Sequence, residues 1–173
     1  MDDYAFRLAN RIVGNHDSAA GLEATLIGPT LYFHSETIVA LTGATCDATL
    51  DGEAVALWQP IRVRAGQTLV TGKVTSGCRT YIAIRNGIDV PDYLGSKSTF
   101  VLGQFGGHGG RTLRKGDVLS LCQPQLPGCP TPAPVHEPSP AEGTLIPDYP
   151  QHWEIKVLYG PHGAPDYFTQ EAI

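Results

Sequence analysis

The feature that most constrains the fold is a succession of short segments in which apolar and polar residues alternate, each bounded by Gly, Pro, Asn or Asp. The segments are GLEATLIGPTLYF, TIVALTG, EAVALW, IRVRAGQTLVTGKV, RTYIAIRNG and DVLSL. Alternation at this spacing is typical of strands in an antiparallel barrel or sandwich. Asp51-Gly52, which separates two of the segments, favours a two-residue hairpin turn. We therefore expect a mainly β protein with a barrel core from about Gly21 to Leu121.

One helix is expected before this core. From Tyr4 to Val13 the apolar residues recur at spacings of three and four, the period of a helix with one buried face. Asp2 or Asp3 is placed to cap the start of the helix, and Gly14-Asn15 to end it. Asn15 is interpreted as a left-handed cap residue.

Composition and charge argue against several classes of protein. The chain has 20 glycines, 14 prolines and only 17% charged residues, which suits a turn-rich β protein. The formal net charge is −5 and there is no basic run, so nucleic acid is not expected as a partner. No apolar stretch approaches the ~18 residues of a membrane-spanning helix, and the acidic start lacks the order of a signal peptide. We therefore expect a cytoplasmic protein with no membrane partner.

The four cysteines favour no metal site. Cys46, Cys78, Cys122 and Cys129 are scattered and make no CxxC pair, whereas structural zinc needs paired ligands at short spacing. The simplest interpretation is free thiols in a reducing cytosol. A disulfide between Cys122 and Cys129, which flank a proline-rich turn, remains an alternative.

A proline-rich segment divides the chain late in its length. Residues 123–150 nearly lack apolar periodicity, which favours an extended linker or a surface loop. The following segment, Trp153–Pro161, repeats the order of Leu22–Pro29: an apolar residue, Glu, an alternating strand and Gly-Pro. We interpret this echo as a duplicated unit. The predicted organisation is a first unit (1–122), a linker (123–150) and the start of a second, truncated unit (151–173).

The stretch YLGSKSTFVLGQFGGHGGRTLRKGD, from Tyr93 to Asp117, combines seven glycines with hydroxyl and basic side chains. Its Gly-Ser-Lys-Ser matches only the end of a phosphate-binding GxxxxGK[ST] loop, with no glycine in register to begin it. The GxGxxG fingerprint also fails, because Thr112 stands where the third glycine belongs. Its apolar residues are too many for a flexible linker. Two interpretations stay open: a glycine-rich barrel corner, or the wall of a substrate pocket.

The pocket interpretation assigns specific binding groups. The backbone N–H groups of Gly106 and Gly107, with the hydroxyls of Ser96 and Ser98, would bind a small planar amide or a ureido ring. Arg111 would offer a fork of donors to a carboxylate or carbonyl.

Two further residues complete the candidate substrate-binding set. His108, amid glycines, is expected to be exposed or to line the pocket, and Asp89 is either a turn residue before Pro91 or a substrate contact. The loops Gly95–Thr99 and Gly103–Arg111, at the two ends of a short strand, FVL, are predicted to lie close together and to line the mouth of the pocket in the complete domain.

Longer stretches resemble a known family. They are DDYAFRLANRIVGN, GLEATLIGPTLYFHSETIVALTGA, ATLDGEAVALW, YIAIRNGIDVPDYLGSKSTF, LGQFGGHGGRTLRKGDVLSL and WEIKVLYGPHGAPDYFT. Together they resemble the carboxyltransferase part of urea carboxylase, the family also called allophanate hydrolase subunit 2, which includes one of the subunits of bacterial 5-oxoprolinase. The GQFGGHGGRTL version is more similar to the urea carboxylase branch. The resemblance implies a cyclophilin-like β-barrel with two related halves, and a chain truncated at both ends.

The resemblance also implies an activity and its partners. It implies part of a biotin-dependent carboxyltransferase that moves CO2 from carboxybiotin to urea or guanidine, giving an allophanate-type product. Biotin would be held by a separate carrier domain, ATP used by a separate biotin carboxylase, and a sister carboxyltransferase subunit would complete the site. No catalytic residue is assigned, and the isolated chain is expected to be inactive. The alternatives are an ATP-dependent lactam-opening component, as in 5-oxoprolinase, or a non-catalytic fragment.

Overall fold

The structure, a computed structural model, describes residues 2–123, 136–150, 152–156, 158, 169 and 171. In chain order its elements are α1 (Asp3–Ile12), β1 (Leu22–Thr25), β2 (Thr30–Tyr32), β3 (Thr37–Cys46), β4 (Thr49–Leu50), β5 (Glu53–Ala54), β6 (Ile61–Val63), β7 (Thr68–Val70), β8 (Val74–Ile84) and a short 3-10 helix (Gly143–Leu145). The expected mainly β architecture, preceded by one short helix, is confirmed.

The strands form two antiparallel sheets of four strands each. The strand order is β1-β8-β3-β6 in the first sheet and β2-β7-β4-β5 in the second. At the centre of the first sheet the long strands β3 and β8 pair with shifts of register near Gly43 and Thr45, which mark β-bulges. Within the described residues no strand ladder joins the two sheets, so the expected barrel is not closed there.

The hydrophobic core lies between the two sheets. Side chains alternate between the two faces of a strand, and the pairs Val39–Ile84 and Leu41–Ile82 point to one face of the first sheet. They are buried in one cluster with Leu69 of β7. Complete burial of such aliphatic side chains stabilises the fold by about 1.5–3 kcal/mol each.

Helix α1 covers the opposite face of the first sheet. There Ala40 of β3 and Ala83 of β8 are direct partners across the ladder. They pack with the buried Leu8, Ala9 and Ile12 of the helix. Because alanine projects little beyond the sheet, the helix can lie close against it, and a larger side chain would have no room in this packed layer.

The N-terminus of α1 is capped as the sequence predicts. Asp2 is extended, and its carboxylate accepts a hydrogen bond from the N–H of Ala5 at 3.0 Å. An aspartate in this position pairs one of the N–H groups that the first helical turn leaves without a partner.

The C-terminus of α1 ends differently from the prediction. The N–H of Gly14 donates to the Arg11 carbonyl at 2.9 Å, and that of Asn15 to the Asn10 carbonyl at 2.8 Å. These are the two bonds of a Schellman motif. Gly14, with φ 80°, is the left-handed residue. The prediction of a left-handed Asn15 is wrong, because the glycine one position earlier adopts that conformation without the steric penalty of a Cβ.

Asn15 belongs to a buried network of amides. Its Nδ2 donates to Asn10 Oδ1 at 3.0 Å and to the Ile84 carbonyl at 2.8 Å, and its Oδ1 accepts from the Asn86 N–H at 2.8 Å. Asn10 Nδ2 donates in turn to the Ala19 carbonyl at 3.0 Å. Both side chains are buried, so the network ties the end of α1 to the end of β8.

The hairpin predicted at Asp51-Gly52 is confirmed. Both residues have positive φ, 50° and 88°, and they join β4 to β5 through the direct pair Leu50–Glu53. A two-residue turn with this geometry matches the twist of antiparallel strands. The strand itself is shorter than the segment EAVALW, since β5 covers only Glu53–Ala54.

Two other predicted strands are wrong. DVLSL makes only an isolated bridge, from Leu121 to Ile88. FVL is not a strand, because Phe100 pairs with Phe105 and the residues between them form the turn of a hairpin. Gln104 takes a left-handed conformation, with φ 57°. Apolar content suggested both strands, but neither segment has a neighbouring strand to pair with along its length.

Residues 136–150 lie across α1 and the first sheet. The N–H of Ser139 donates to the Ile12 carbonyl at 3.0 Å, and that of Ala141 to the Trp58 carbonyl at 2.9 Å. Tyr149 Oη donates to an Asp2 carboxylate oxygen at 2.7 Å. This part of the predicted linker is therefore hydrogen-bonded to the first unit.

The proposed domain limits stay a prediction. Much of the second-unit segment Trp153–Pro161 lies outside the described residues, as does Cys129 of the alternative disulfide. Cys46 and Cys78 are free thiols. Within the described part of the chain no helix has the length and apolar character needed to cross a membrane.

Candidate functional site

The candidate site lies in a segment that we call the lobe, residues 92–118, which contains two hairpins. In the first, Tyr93 and Ser96 exchange backbone hydrogen bonds of 2.8 and 3.1 Å around a two-residue turn. Leu94 and Gly95 both have positive φ, 52° and 76°, as a type I′ turn requires. The Asp92 carboxylate accepts the Gly95 N–H at 2.8 Å and holds the turn.

The hairpin brings together two of the predicted site residues. Ser96 Oγ and Ser98 Oγ lie 2.8 Å apart, and the N–H of Ser98 donates to Ser96 Oγ at 3.2 Å. Both residues are exposed. At this distance one hydroxyl donates its proton to the oxygen of the other. The O–H of the accepting hydroxyl can then donate outward to a ligand.

The second hairpin folds back on the first. Phe100 and Phe105 exchange backbone hydrogen bonds of 2.9 and 3.4 Å. The chain then places Gly106 against the Ser98 carbonyl and Gly107 against the Thr99 hydroxyl, so closely that a Cβ at either glycine would overlap those atoms. The predicted closeness of the two loops is confirmed, although they enclose a tight turn rather than a strand. Close packing explains why both positions are glycine.

Arg111 is held by an aspartate. Its Nη1 donates to Asp117 Oδ2 at 2.7 Å and its Nη2 to Oδ1 at 2.8 Å, and Nη1 also reaches the Thr112 carbonyl at 3.0 Å. The N–H of Arg114 donates to the same carboxylate at 2.7 Å. The Arg111 guanidinium, followed by this N–H, holds the pKa of the Asp117 carboxyl well below its usual range. The fork is thus oriented by a partner within the lobe.

The last two predicted residues differ in position. His108 lies half-buried within the lobe, and its charge when protonated also lowers the pKa of Asp117. Asp89 is exposed and lies outside the lobe, where its N–H donates to the Ser120 carbonyl at 2.8 Å and its Oδ1 is 4.0 Å from Cys122 Sγ. Among the described contacts none joins Asp89 to the other predicted residues. Whether any of the seven contacts substrate stays a prediction.

The family follows from comparison with known proteins. The model of the family described as "Carboxyltransferase domain, subdomain A and B" matches residues 1–173, the whole chain. The chain belongs to this family. Its glycine-rich lobe is therefore part of a carboxyltransferase-type domain, as the resemblance in the sequence implies.

Three known proteins show how much of a longer protein this carboxyltransferase segment matches. Urea amidolyase from Lachancea kluyveri is 49% identical over 175 residues, covering 100% of this chain and 10% of the relative. A 5-oxoprolinase subunit of Escherichia coli is 42% identical over 121 residues, covering 70% of this chain and 39% of the relative. The crystal structure of K. lactis urea amidolyase superposes with a TM-score of 0.92 at 50% identity, covering 99% of this chain and 10% of that one. The chain thus spans about a tenth of the urea amidolyases that it resembles.

A cavity lies elsewhere on this carboxyltransferase segment. It has a volume of about 610 Å³ between the bulged end of the first sheet and the side chains of Ile146, Tyr149 and Trp153, and its walls include Cys78 and Arg79. None of the seven predicted residues lines it. Burial, and then the hydrogen bond to Asp2, raise the pKa of Tyr149, so its phenol stays protonated as a donor. Among the described residues there is no cluster of His, Cys, Asp or Glu that could hold a metal ion.

Sequence reasoning missed Asp117 as a member of the lobe's polar set. Its signal was present, because the aspartate stands three residues after Arg114, where its carboxylate can accept that residue's N–H and close a turn. The pairing with Arg111 needed the fold as well. The buried amides Asn10 and Asn15 were also missed, since periodicity alone marks apolar faces only.

Proposed function

We propose that this chain forms part of a biotin-dependent carboxyltransferase that carboxylates urea or a close analogue such as guanidine. The observation that carries the proposal is the 49% identity with urea amidolyase across the entire chain. The lobe adds chemical support, because it offers exposed hydrogen-bond donors without a nucleophile-and-base pair. Such a surface suits a reaction in which positioning and charge stabilisation do most of the catalysis.

The donors of the lobe fit a planar ureido or amide group. The outward proton of the Ser96–Ser98 pair can donate to a carbonyl oxygen, and the turns beside it leave the approach open because both serines are exposed. When bound, carboxybiotin supplies the carboxyl group that is transferred to the acceptor nitrogen. The hydroxyl pair stabilises the negative charge that develops on the carbonyl oxygen of the bound ureido or amide group.

Arg111 and His108 orient the acceptor in this proposal. Asp117 occupies both terminal nitrogens of Arg111 and fixes the guanidinium plane, while Nε and the remaining N–H bonds can still donate to the carbonyl oxygen of a urea acceptor. The half-buried ring of His108 offers a further donor or acceptor at the same end of the lobe. Together these groups would hold a small planar acceptor rather than an extended chain.

The remaining parts of the reaction come from outside this chain. A biotin carrier, an ATP-using biotin carboxylase and a sister carboxyltransferase domain would provide the carboxybiotin and complete the pocket. The length of the relatives supports this arrangement, since the chain spans 10% of the Lachancea kluyveri protein.

The test is a chimera in which this chain replaces the matching segment of Lachancea kluyveri urea amidolyase. We expect ATP hydrolysis in the chimera to depend on both bicarbonate and urea. Changing Ser96 and Ser98 together to Ala should lower the urea-dependent kcat by about tenfold or more, because a charge-stabilising donor is lost. Ser35→Ala, an exposed serine outside the lobe, is the matched control and should leave the rate unchanged. The isolated chain should be inactive in the same assay.

Two results would contradict the proposal. A chimera that folds and cleaves ATP with bicarbonate but ignores urea and guanidine would exclude this acceptor class. A normal urea rate in the double serine variant would remove the lobe from the site. Opening of 5-oxoproline by the chimera would favour the alternative activity, which has less support because the Escherichia coli 5-oxoprolinase relative matches 70% of the chain rather than all of it.

A further inference from the structure

The lobe exposes an unusual amount of apolar surface for its size. The two hairpin tips, Leu94 and Leu102, are 89% and 90% exposed. Close to these tips in the chain, Tyr93 and Phe100 each pack on Phe105, with ring centroids 4.7 and 5.2 Å away. All three rings are partly open to solvent. Apolar surface that is contiguous, rather than scattered over the chain, marks an interaction site.

Leu94 carries a second and independent sign of an interaction. It sits at a left-handed turn position, with φ 52°, where Asn or Gly is preferred and a branched apolar side chain is strained. A strained residue persists where something else compensates for it. At 89% exposure, packing within the described chain does not compensate. The hydrogen bonds of Asp92 and of the Tyr93–Ser96 pair hold the turn, but they do not explain why its first residue is an exposed leucine; a contact with another surface would explain that choice.

Charge indicates what kind of surface this is. Residues 92–118 contain four basic side chains and two acidic ones, a net charge of +2 in a chain of −5, so the remaining residues carry −7. A second copy of the lobe would bring the same basic groups to the interface. An acidic rim on the partner would instead attract them and steer the encounter.

We propose that the lobe docks, through Leu94 and Leu102, onto an apolar protein surface with an acidic rim, which lies outside these 173 residues in the assembled enzyme. The proposal rests on the proposed function, since it takes the chain to be one part of a larger carboxyltransferase. The relatives' greater length gives room for such a surface.

The experiment uses the Lachancea kluyveri chimera with the photo-crosslinker p-benzoylphenylalanine in place of Leu94. Irradiation should join this position to a segment outside the replaced region that is rich in Asp or Glu, identified by mass spectrometry. Tyr32 of β2, which is 58% exposed and lies outside the lobe, is the control position and should give at least fivefold less of this product. Cross-links between two copies of the lobe, or equal yields from both positions, would overturn the proposal.

Leu94→Asn separates docking from folding. Asparagine suits the left-handed turn better than leucine, so the melting temperature of the 173-residue chain should stay the same or rise. In the chimera, the variant combined with Leu102→Asn should raise hydrogen exchange in residues 93–105 severalfold. An unchanged exchange rate in the chimera would contradict docking.

The two proposals fail in different ways. A chimera that lacks urea-dependent activity but still protects and cross-links the lobe retains the docking surface and loses the proposed function. A chimera that carboxylates urea while residues 93–105 exchange freely retains the function and loses the docking surface.

Discussion

The central sheet and the lobe are built on opposite principles. In the sheet, apolar side chains of β3 and β8 meet each other and the helix, and residues such as Leu41 and Ile82 are fully buried. In the lobe, apolar side chains face outward, and the shape is held by left-handed turns and by the Arg111–Asp117 pair. One region is stabilised by removing surface from water, the other by local backbone geometry and hydrogen bonds.

This difference separates stability from function within one small chain. A region held by few buried contacts opens at low free-energy cost, and it can present its side chains to a ligand or partner. The sheet supplies the rigid base from which the lobe projects. Changes in the two regions are therefore expected to affect different measurements.

Truncating one leucine in each region gives the largest expected contrast. Leu41→Ala removes a fully buried side chain and should lower the free energy of unfolding by about 2–5 kcal/mol, through lost burial and a new cavity. Leu102→Ala, at an exposed tip, should change it by about 0.5 kcal/mol or less. Chemical denaturation followed by circular dichroism measures both. Equal losses would show that the lobe has its own packed core.

Two glycines within the lobe give a smaller contrast. Gly107→Val puts a Cβ into the Thr99 hydroxyl at a left-handed position, φ 52°, so the overlap should cost about 1–3 kcal/mol beyond the backbone penalty and loosen residues 96–111. Gly109→Val shares a positive φ, 69°, but a Cβ there has no described atom within 4 Å. It should carry only the backbone penalty of about 1–2 kcal/mol. If the loop contact is unimportant, amide exchange measured residue by residue will rise equally in the two variants.

The ion pair of the lobe gives the smallest effect, and it depends on pH. The pKa of folded Asp117 is lowered by Arg111, so the pair's contribution is complete above the unfolded pKa, about 3.9. It is lost as the pH falls through the lower folded value. At a pH of about 3.9, the unfolded pKa, carbon NMR of the carboxyl group should show that Asp117 is still ionised.

Asp117→Asn should abolish this titration and free Arg111, with little change in melting temperature because the pair is near the surface. A midpoint near the unfolded pKa of about 3.9 in the unaltered chain would mean that the pair does not persist in solution.

Local sequence signals predicted the local features well. Asp2 caps the helix and Asp51-Gly52 turns the β4–β5 hairpin, since in both the interacting groups are within a few residues of each other. The short apolar segments of β3 and β8 likewise marked strands that are buried along much of their length. Each depends on intrinsic backbone preference or on periodicity, which a single sequence displays.

Features that depend on distant partners were not predictable in this way. FVL has the composition of a strand, yet it turns because Phe100 pairs with Phe105. Arg111 was predicted to face a ligand, and its nearest partner is Asp117. Of the site, the sequence marked the donors and the closeness of the two loops. Neither periodicity nor composition could reveal which donors another part of the chain already occupies.

The buried amides Asn10 and Asn15 set limits on how this protein can be divided. Because Asn15 satisfies both the Ile84 carbonyl and the Asn86 N–H, removing the first fifteen residues would leave two backbone groups at the end of β8 without their partners. Each such loss costs about 1–3 kcal/mol. The N-terminal helix therefore cannot be removed without destabilising the end of β8. A split protein, a circular permutation or a grafted segment keeps the end of β8 intact only if it carries the N-terminal residues with it.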